Sequence, residues 1–182
     1  MKKSIIVLLF VCSFLNVSAQ DTIDKDSIDN PTSEIKLNAL FMVVGAFNVS
    51  YEYLLNEESG LGLEVFIPYD EEIKDDIDFY LSPYYRMYFG NKYSSGFFLE
   101  GFGLLSTVTL NEITFFNNQG DITRTQREKE TNFALGIGVG GKWYTKSGLI
   151  GELSLGVGRN LITSDFNNDF VGKLGVTIGY RF

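Results

Sequence analysis

The stretch Val171–Phe182, VGKLGVTIGYRF, decides the fold. One set of alternate positions reads Leu174, Val176, Ile178, Tyr180 and Phe182, and the other reads Lys173, Gly175, Thr177, Gly179 and Arg181. One face is therefore apolar and the other small, polar or cationic, with the two-residue period of a β-strand. Such a strand suits a soluble sandwich as well as a membrane barrel. Which face meets solvent depends on what accompanies it.

Seven more alternating segments precede it, near Glu34–Val43, Phe47–Leu55, Leu61–Ile67, Ile77–Phe89, Phe97–Leu110, Asn132–Thr145 and Leu149–Arg159. No helical period competes with them. The connectors alternate in kind. Asn56–Gly60, Gly90–Gly96 and Thr145–Gly148 are tight and rich in Gly, Asn and Ser, whereas Pro68–Asp76, Asn111–Thr131 and Asn160–Phe170 are long and polar. The first connector, around Val44–Ala46, reads as nearly as tight as the turns. Short turns at one end, longer loops at the other and an even strand number give an all-β, eight-stranded antiparallel up-and-down transmembrane β-barrel.

Parity assigns the faces. The outward set includes Ile35, Leu37, Phe41, Phe47, Val49, Leu61, Leu63, Ile77, Phe79, Leu135, Ile137, Leu153 and Leu155, with hardly a charge among them. The inward set carries Lys36, Glu52, Glu64, Arg86, Glu100, Lys142, Glu152 and Arg181, one charge per strand, four acidic and four basic. Each lies a few residues from the short-turn end of its strand, so closure brings them into one belt. A buried unpaired charge is very costly, while a balanced belt can satisfy itself. Each glutamate is expected to pair with a base on an adjacent strand. A soluble eight-stranded ligand carrier would show the inverse, an apolar cavity and a charged exterior. Lipid is therefore expected to meet the apolar face. Tyr51, Tyr53, Tyr85, Phe89, Trp143, Tyr180 and Phe182 gather near the short turns, where an aromatic girdle belongs.

The flanking sequence agrees with this placement. Residues 1–19 read as a secretory signal peptide, with Lys2 and Lys3, an apolar run from Ile5 to Leu15 and small residues before Gln20. That run is too short to span a membrane as a helix. Residues 20–33 read as a flexible acidic leader and residues 34–182 as the barrel. Cys12, the one cysteine, lies in the apolar run, and the chain has no histidine. A mature chain starting at Gln20 thus lacks thiol catalysis, disulfides, and histidine-based acid/base or zinc chemistry. A formal charge of −8, with 23 acidic against 15 basic residues, argues against nucleic-acid binding.

Together with the signal peptide, the runs Ser82–Phe89 (SPYYRMYF) and Gly136–Lys142 (GIGVGGK) and the ending Gly179–Phe182 (GYRF) resemble the small outer-membrane β-barrel proteins of uncharacterised function. These are distantly similar to the membrane domain of OmpA and to OmpX. The resemblance implies a bacterial outer-membrane location, contact with lipid and lipopolysaccharide, and recognition of Tyr180 and Phe182 as an assembly signal by the barrel-assembly machinery. Since the sequence ends at Phe182, no peptidoglycan-binding domain is expected after it.

The chemistry points to a structural or surface-interaction role, in adhesion or envelope integrity, with no enzyme activity and no cofactor. The alternatives are a narrow porin-like channel and, as a lesser one, a lipid A-modifying barrel. Against a channel, an eight-stranded barrel has room only for its own side chains, and Phe66, Tyr80, Tyr84, Tyr88, Phe98 and Phe102 join the belt inside. The acidic run Asp70, Glu71, Glu72, Asp75, Asp76 and Asp78 lacks the spacing and glycine of a calcium loop, so no metal site is assigned. The segment 111–131, with Phe115 and Phe116 beside Arg124, Arg127 and Lys129, is either a surface for a partner or for lipopolysaccharide phosphates, or a strand pair rising above the membrane. Pro83 removes a ladder donor inside the fourth segment. A bulge, or pairing only from Tyr84 onward, is expected there.

Overall fold

A computed structural model describes residues 31–116, 122–162 and 170–182. The expected signal peptide and the leader up to residue 30 lie outside the described residues. Eight strands close into an antiparallel barrel in sequence order: β1 (Ser33–Asn38), β2 (Ala46–Asn56), β3 (Ser59–Pro68), β4 (Phe79–Tyr88), β5 (Gly96–Phe116), β6 (Ile122–Tyr144), β7 (Leu149–Ile162) and β8 (Phe170–Arg181). Closure is made by β1 against β8, from Glu34 opposite Arg181 to Asn38 opposite Thr177. Pairing β1 with β8 closes the sheet into a ring, the condition for crossing a membrane with strands. No described helix is long and apolar enough to cross one.

The alternation is legible residue by residue. Phe47, Val49, Tyr51, Tyr53 and Leu55 of β2 are exposed, while Ala46, Asn48, Glu52 and Leu54 are buried in the lumen. Among strand residues whose side chains are described, outward positions carry no charge save Arg159 near the loop end of β7. The apolar span from Leu149 to Val157 on β7 is eight residue steps. At ~3.3 Å per step and a ~40° tilt this is about 20 Å tall, close to the ~25 Å apolar band of outer-membrane barrels. All seven aromatics of the expected girdle are exposed, at or near the turn end.

Large lumen side chains need floor space, which glycines opposite them on the neighbouring strand supply. A Cβ at Gly136 would enter the Phe102 ring, and one at Gly140 the Phe98 ring. These strand glycines, costly elsewhere, are here the mortises for aromatic tenons.

Two helices depart from the all-strand reading. The first connector is no tight turn: α1 (Ala39–Val44) follows β1 directly, capped by the Asn38 side chain and by Gly45 at φ 122°. Phe41, assigned outward by parity, instead packs inward, its ring 5.2 Å from that of Phe66 in an edge-on contact. Helix α2 (Glu71–Asp76) occupies the second connector, with Asp70 as N-cap. It carries Ile73, and the C-cap Ile77, also assigned outward, packs with it against the lumen cluster. A helix turns every 3.6 residues, so parity carried past a strand's end misplaces these side chains.

Helix α1 also solves a problem of closure. β1 stops at Asn38, opposite Thr177, while β8 continues to Phe170. The Asn38 side chain donates to the Leu174 carbonyl (3.0 Å) and accepts from the Val176 N–H (3.3 Å). Beyond it, α1 packs between β2 and β8 where the upper part of β1 is missing. A bare strand edge at that depth would leave backbone groups unsatisfied, at a cost of roughly several kcal/mol each in lipid.

Pro83 causes neither a bulge nor a late start. β4 pairs β5 in one register before it, at Leu81 opposite Leu105, and after it, at Tyr84 opposite Phe102. The Gly103 carbonyl, opposite the missing proline N–H, accepts from the Ser82 hydroxyl at 2.8 Å. One side chain replaces the lost donor. In the segment 111–131, β5 and β6 remain paired to Phe116 opposite Ile122, so the backbone there is a hairpin extension.

Candidate functional site: the charged lumen

The eight inward charges expected from parity are all buried, and they are joined by two others, Glu34 and Lys173. Five carboxylates (Glu34, Glu52, Glu64, Glu100, Glu152) and five cations (Lys36, Arg86, Lys142, Lys173, Arg181) form one connected network. At the turn end, Arg181 grips Glu34 at 2.6 Å, and Glu34 accepts from Lys142 at 2.9 Å. Glu52 is the hub. It contacts Lys36, Arg86 (3.1 Å) and Lys142 (3.5 Å), and accepts from the hydroxyls of Tyr84 (3.2 Å) and Tyr88.

Arg86 spreads its planar guanidinium over three acids, donating to Glu100 through Nε (2.8 Å) and to Glu152 (2.8 Å) and Glu52 (3.1 Å) through Nη1. Its faces lie on the rings of Tyr84 and Phe98, 4.4 and 4.3 Å from their centroids. Arginine's rigid fork and its affinity for aromatic faces suit it to this place. Toward the loop end, Lys173 bridges Glu100 and Glu64, each at 2.9 Å, and Glu64 also accepts from Tyr80 (2.6 Å) and Asn48 (2.7 Å).

The pairing runs across the lumen as much as along the wall. Adjacent-strand pairs occur for Glu52 with Lys36 and for Glu100 with Arg86. Lys142 and Glu152 stand opposite each other in the β6–β7 ladder, yet Lys142 turns to Glu34 and Glu52, and Glu152 to Arg86 and Lys36. Glu64 reaches Lys173 on β8, a strand it does not touch in the sheet. Glu34 and Lys173 share the parity of Lys36 and Arg181 on their respective strands, so alternation alone points both of them inward. The rule of one charge per strand hid them.

Side chains occupy the lumen at both ends. At the turn end, Arg181 donates to the carbonyls of Tyr93 (3.0 Å) and Ser94 (2.9 Å), and Ser94 donates to Asn56 O through its hydroxyl (2.7 Å) and to Glu57 O through its N–H (2.7 Å). The β4–β5 turn is thereby tucked into the mouth, with Ser94 held at φ 42°. At the loop end, Phe66, Tyr80, Tyr84, Phe102 and Leu104 form an apolar cluster beneath Phe41, Ile73 and Ile77. Between the ionic and apolar zones lies a polar cavity of about 20 Å³, bordered by Asn48, Glu64, Arg86, Glu152 and Lys173. That is room for about one water molecule.

Among the described residues no cluster of carboxylates, histidines or cysteines is arranged to hold a metal ion. Side chains at 75–76 and 109–129, including most of those in the acidic run's second half and the basic residues of the hairpin extension, lie outside the described residues.

A closed ring of eight antiparallel strands, apolar outside and charged inside, defines the class of small outer-membrane-type β-barrels. The chain belongs to the family described as protein of unknown function, DUF3575, which it matches over residues 5–169. Among solved structures it is similar to the N-terminal β-barrel domain of Pseudomonas aeruginosa OprF, with a TM-score of 0.54 and 16% identity, over 84% of this chain and 98% of that domain. At that identity the likeness is one of fold. No curated protein matches the chain significantly.

Proposed function

We propose that the protein is an integral outer-membrane barrel with a closed interior, serving a structural or surface-interaction role in adhesion or envelope integrity. The observation that carries this reading is the unbroken ion-pair network from Arg181 to Glu64, beside which lies a cavity of about 20 Å³. A lumen filled in this way by its own side chains should pass negligible water or ions. Each of the five carboxylates of the network contacts at least one cation, and carboxylates so engaged are poorly placed for acid/base work. The exposed aromatics Tyr180 and Phe182, on the apolar face of β8, are the elements offered to the assembly machinery. The hairpin extension of β5 and β6 is the surface for lipopolysaccharide or a partner.

Reconstitution into planar bilayers tests the central claim. A silent membrane is expected, and steady large conductance steps would overturn it in favour of a channel. Overexpression should leave the lipid A mass spectrum unchanged, and the protein should fractionate with outer membranes.

A further inference from the structure

The connector between β1 and β2 differs in kind from the one between β3 and β4. From Leu37 to Phe47 the sequence LNALFMVVGAF carries no charge, whereas Pro68–Asp78 contains six carboxylates. The structure gives the uncharged connector a two-sided helix. Phe41 turns into the lumen, while Met42, Val43 and Val44 of α1 are 41%, 88% and 52% exposed. A nearly bare valine on an extracellular loop would be an odd use of an aliphatic residue.

Its height in the wall explains it. α1 begins after Asn38, one residue beyond Leu37, which stands opposite Val49 of β2 and Ile178 of β8. It ends at Gly45, whose carbonyl accepts from the N–H groups of Tyr69 (2.9 Å) and Asp70 (3.0 Å) beside the top of the β2–β3 ladder, where Ala46 faces Pro68. The helix therefore occupies the height of Phe47 and Val49 on one flank and of Val176 and Leu174 on the other, all of them exposed outward positions of the apolar band. Tyr69, whose hydroxyl donates to the Met42 carbonyl at 2.5 Å and whose ring lies 5.0 Å from that of Phe47, covers one end of α1.

We infer that α1 is a membrane-embedded part of the barrel wall, with Met42, Val43 and Val44 in contact with the acyl chains of the outer leaflet. It is not an extramembrane loop. The occupant of this exposed face is lipid, because the face is continuous on both sides with the band that lipid covers. An aqueous partner would have to displace the bilayer from Phe47 and Val176 as well. The inference rests on the membrane-barrel reading and adds a helical patch to what would otherwise be a wall of strands alone.

The test uses the mature chain without its signal peptide, which has no cysteine of its own. Single substitutions Val43→Cys, Val44→Cys, Ile137→Cys and Glu57→Cys are labelled with bimane and refolded into phosphatidylcholine vesicles whose acyl chains carry bromine atoms, or do not. Ile137 lies on the outward face of β6 and Glu57 on an exposed turn. Bromine should quench the labels at 43 and 137 to a comparable extent and leave 57 bright. Shallow bromines should act more strongly on 43 than on 137. Quenching at 137 with neither 43 nor 44 quenched would overturn this inference and leave the barrel reading intact. No quenching at 137 would overturn both.

Discussion

The lower and upper halves of the lumen fill the same cylinder by opposite means. Near the turns, ten charged side chains neutralise one another; near the loops, aromatic rings lie on a glycine floor and are lidded by two short helices. Both fillings exclude solvent. They differ in what they tolerate. A packed apolar cluster accepts exchanges that conserve volume, whereas an ionic network depends on every partner, because deleting one strands the others in a low dielectric.

The largest effect should therefore follow loss of the hub. Glu52→Ala leaves Lys36, Arg86 and Lys142 with one acid fewer each and removes the acceptor of the Tyr84 and Tyr88 hydroxyls. Destabilisation of about 5 kcal/mol, the upper part of the range for breaking a buried pair, is expected as a lowered urea midpoint of the barrel refolded in lipid. A midpoint within error of the parent would show that the lower half is not held by its charges. Arg86→Lys keeps the charge but cannot reach Glu100, Glu152 and Glu52 at once or lie between Tyr84 and Phe98. A loss of about 2–3 kcal/mol is expected, and a neutral result would mean that charge alone, and not the fork, is what this position requires.

The seam between the halves offers an intermediate case. Asn38→Leu removes the side chain that serves both Leu174 O and Val176 N at the edge of β8. About 2 kcal/mol should be lost, accompanied by faster amide exchange confined to β8 above Thr177 and to α1, whose cap is removed. Uniform exchange across the barrel would contradict a local role. In the upper half, Leu104→Met conserves volume in the cluster around Phe66 and Phe102. It should cost less than about 1 kcal/mol. A loss as large as that of Arg86→Lys would erase the contrast between the two fillings.

Most of this architecture is written in the sequence because a strand's period is an integer. Two-residue alternation placed Phe66, Tyr80, Tyr84, Tyr88, Phe98 and Phe102 inside, where the structure has them, and Leu135, Ile137 and Leu153 outside. The alternation fails where the period changes. Asn38 and Gly45, six residues of α1 apart, are a helix cap and a helix terminator in sequence, but the run ALFMVV between them also reads as apolar strand, and Phe41 was assigned to the wrong face. Partner choice in the lumen is the other illegible part. Register places Lys142 beside Glu152, yet long side chains in a cylinder this narrow reach the far wall as easily as the near one, so the network is set by three-dimensional packing.

The smallest expected effect isolates burial as the source of the ionic contribution. Lys74 and Glu71, on α2, form an ion pair at 3.8 Å with side chains 46% and 79% exposed. The same chemical pair occurs in the lumen as Lys142 with Glu34 at 2.9 Å, both side chains shielded. In water the exposed pair competes with hydration and with screening by salt, so Lys74→Ala should shift the urea midpoint by no more than about 0.5 kcal/mol, and that little should vanish at high salt. Lys142→Ala, compared directly, leaves Glu34 to Arg181 and Lys36 and should cost several times more without responding to salt. If the two substitutions cost the same, the sensitivity of the lower lumen would come from the lysine's packing, and the difference between ionic and apolar fillings would reduce to volume.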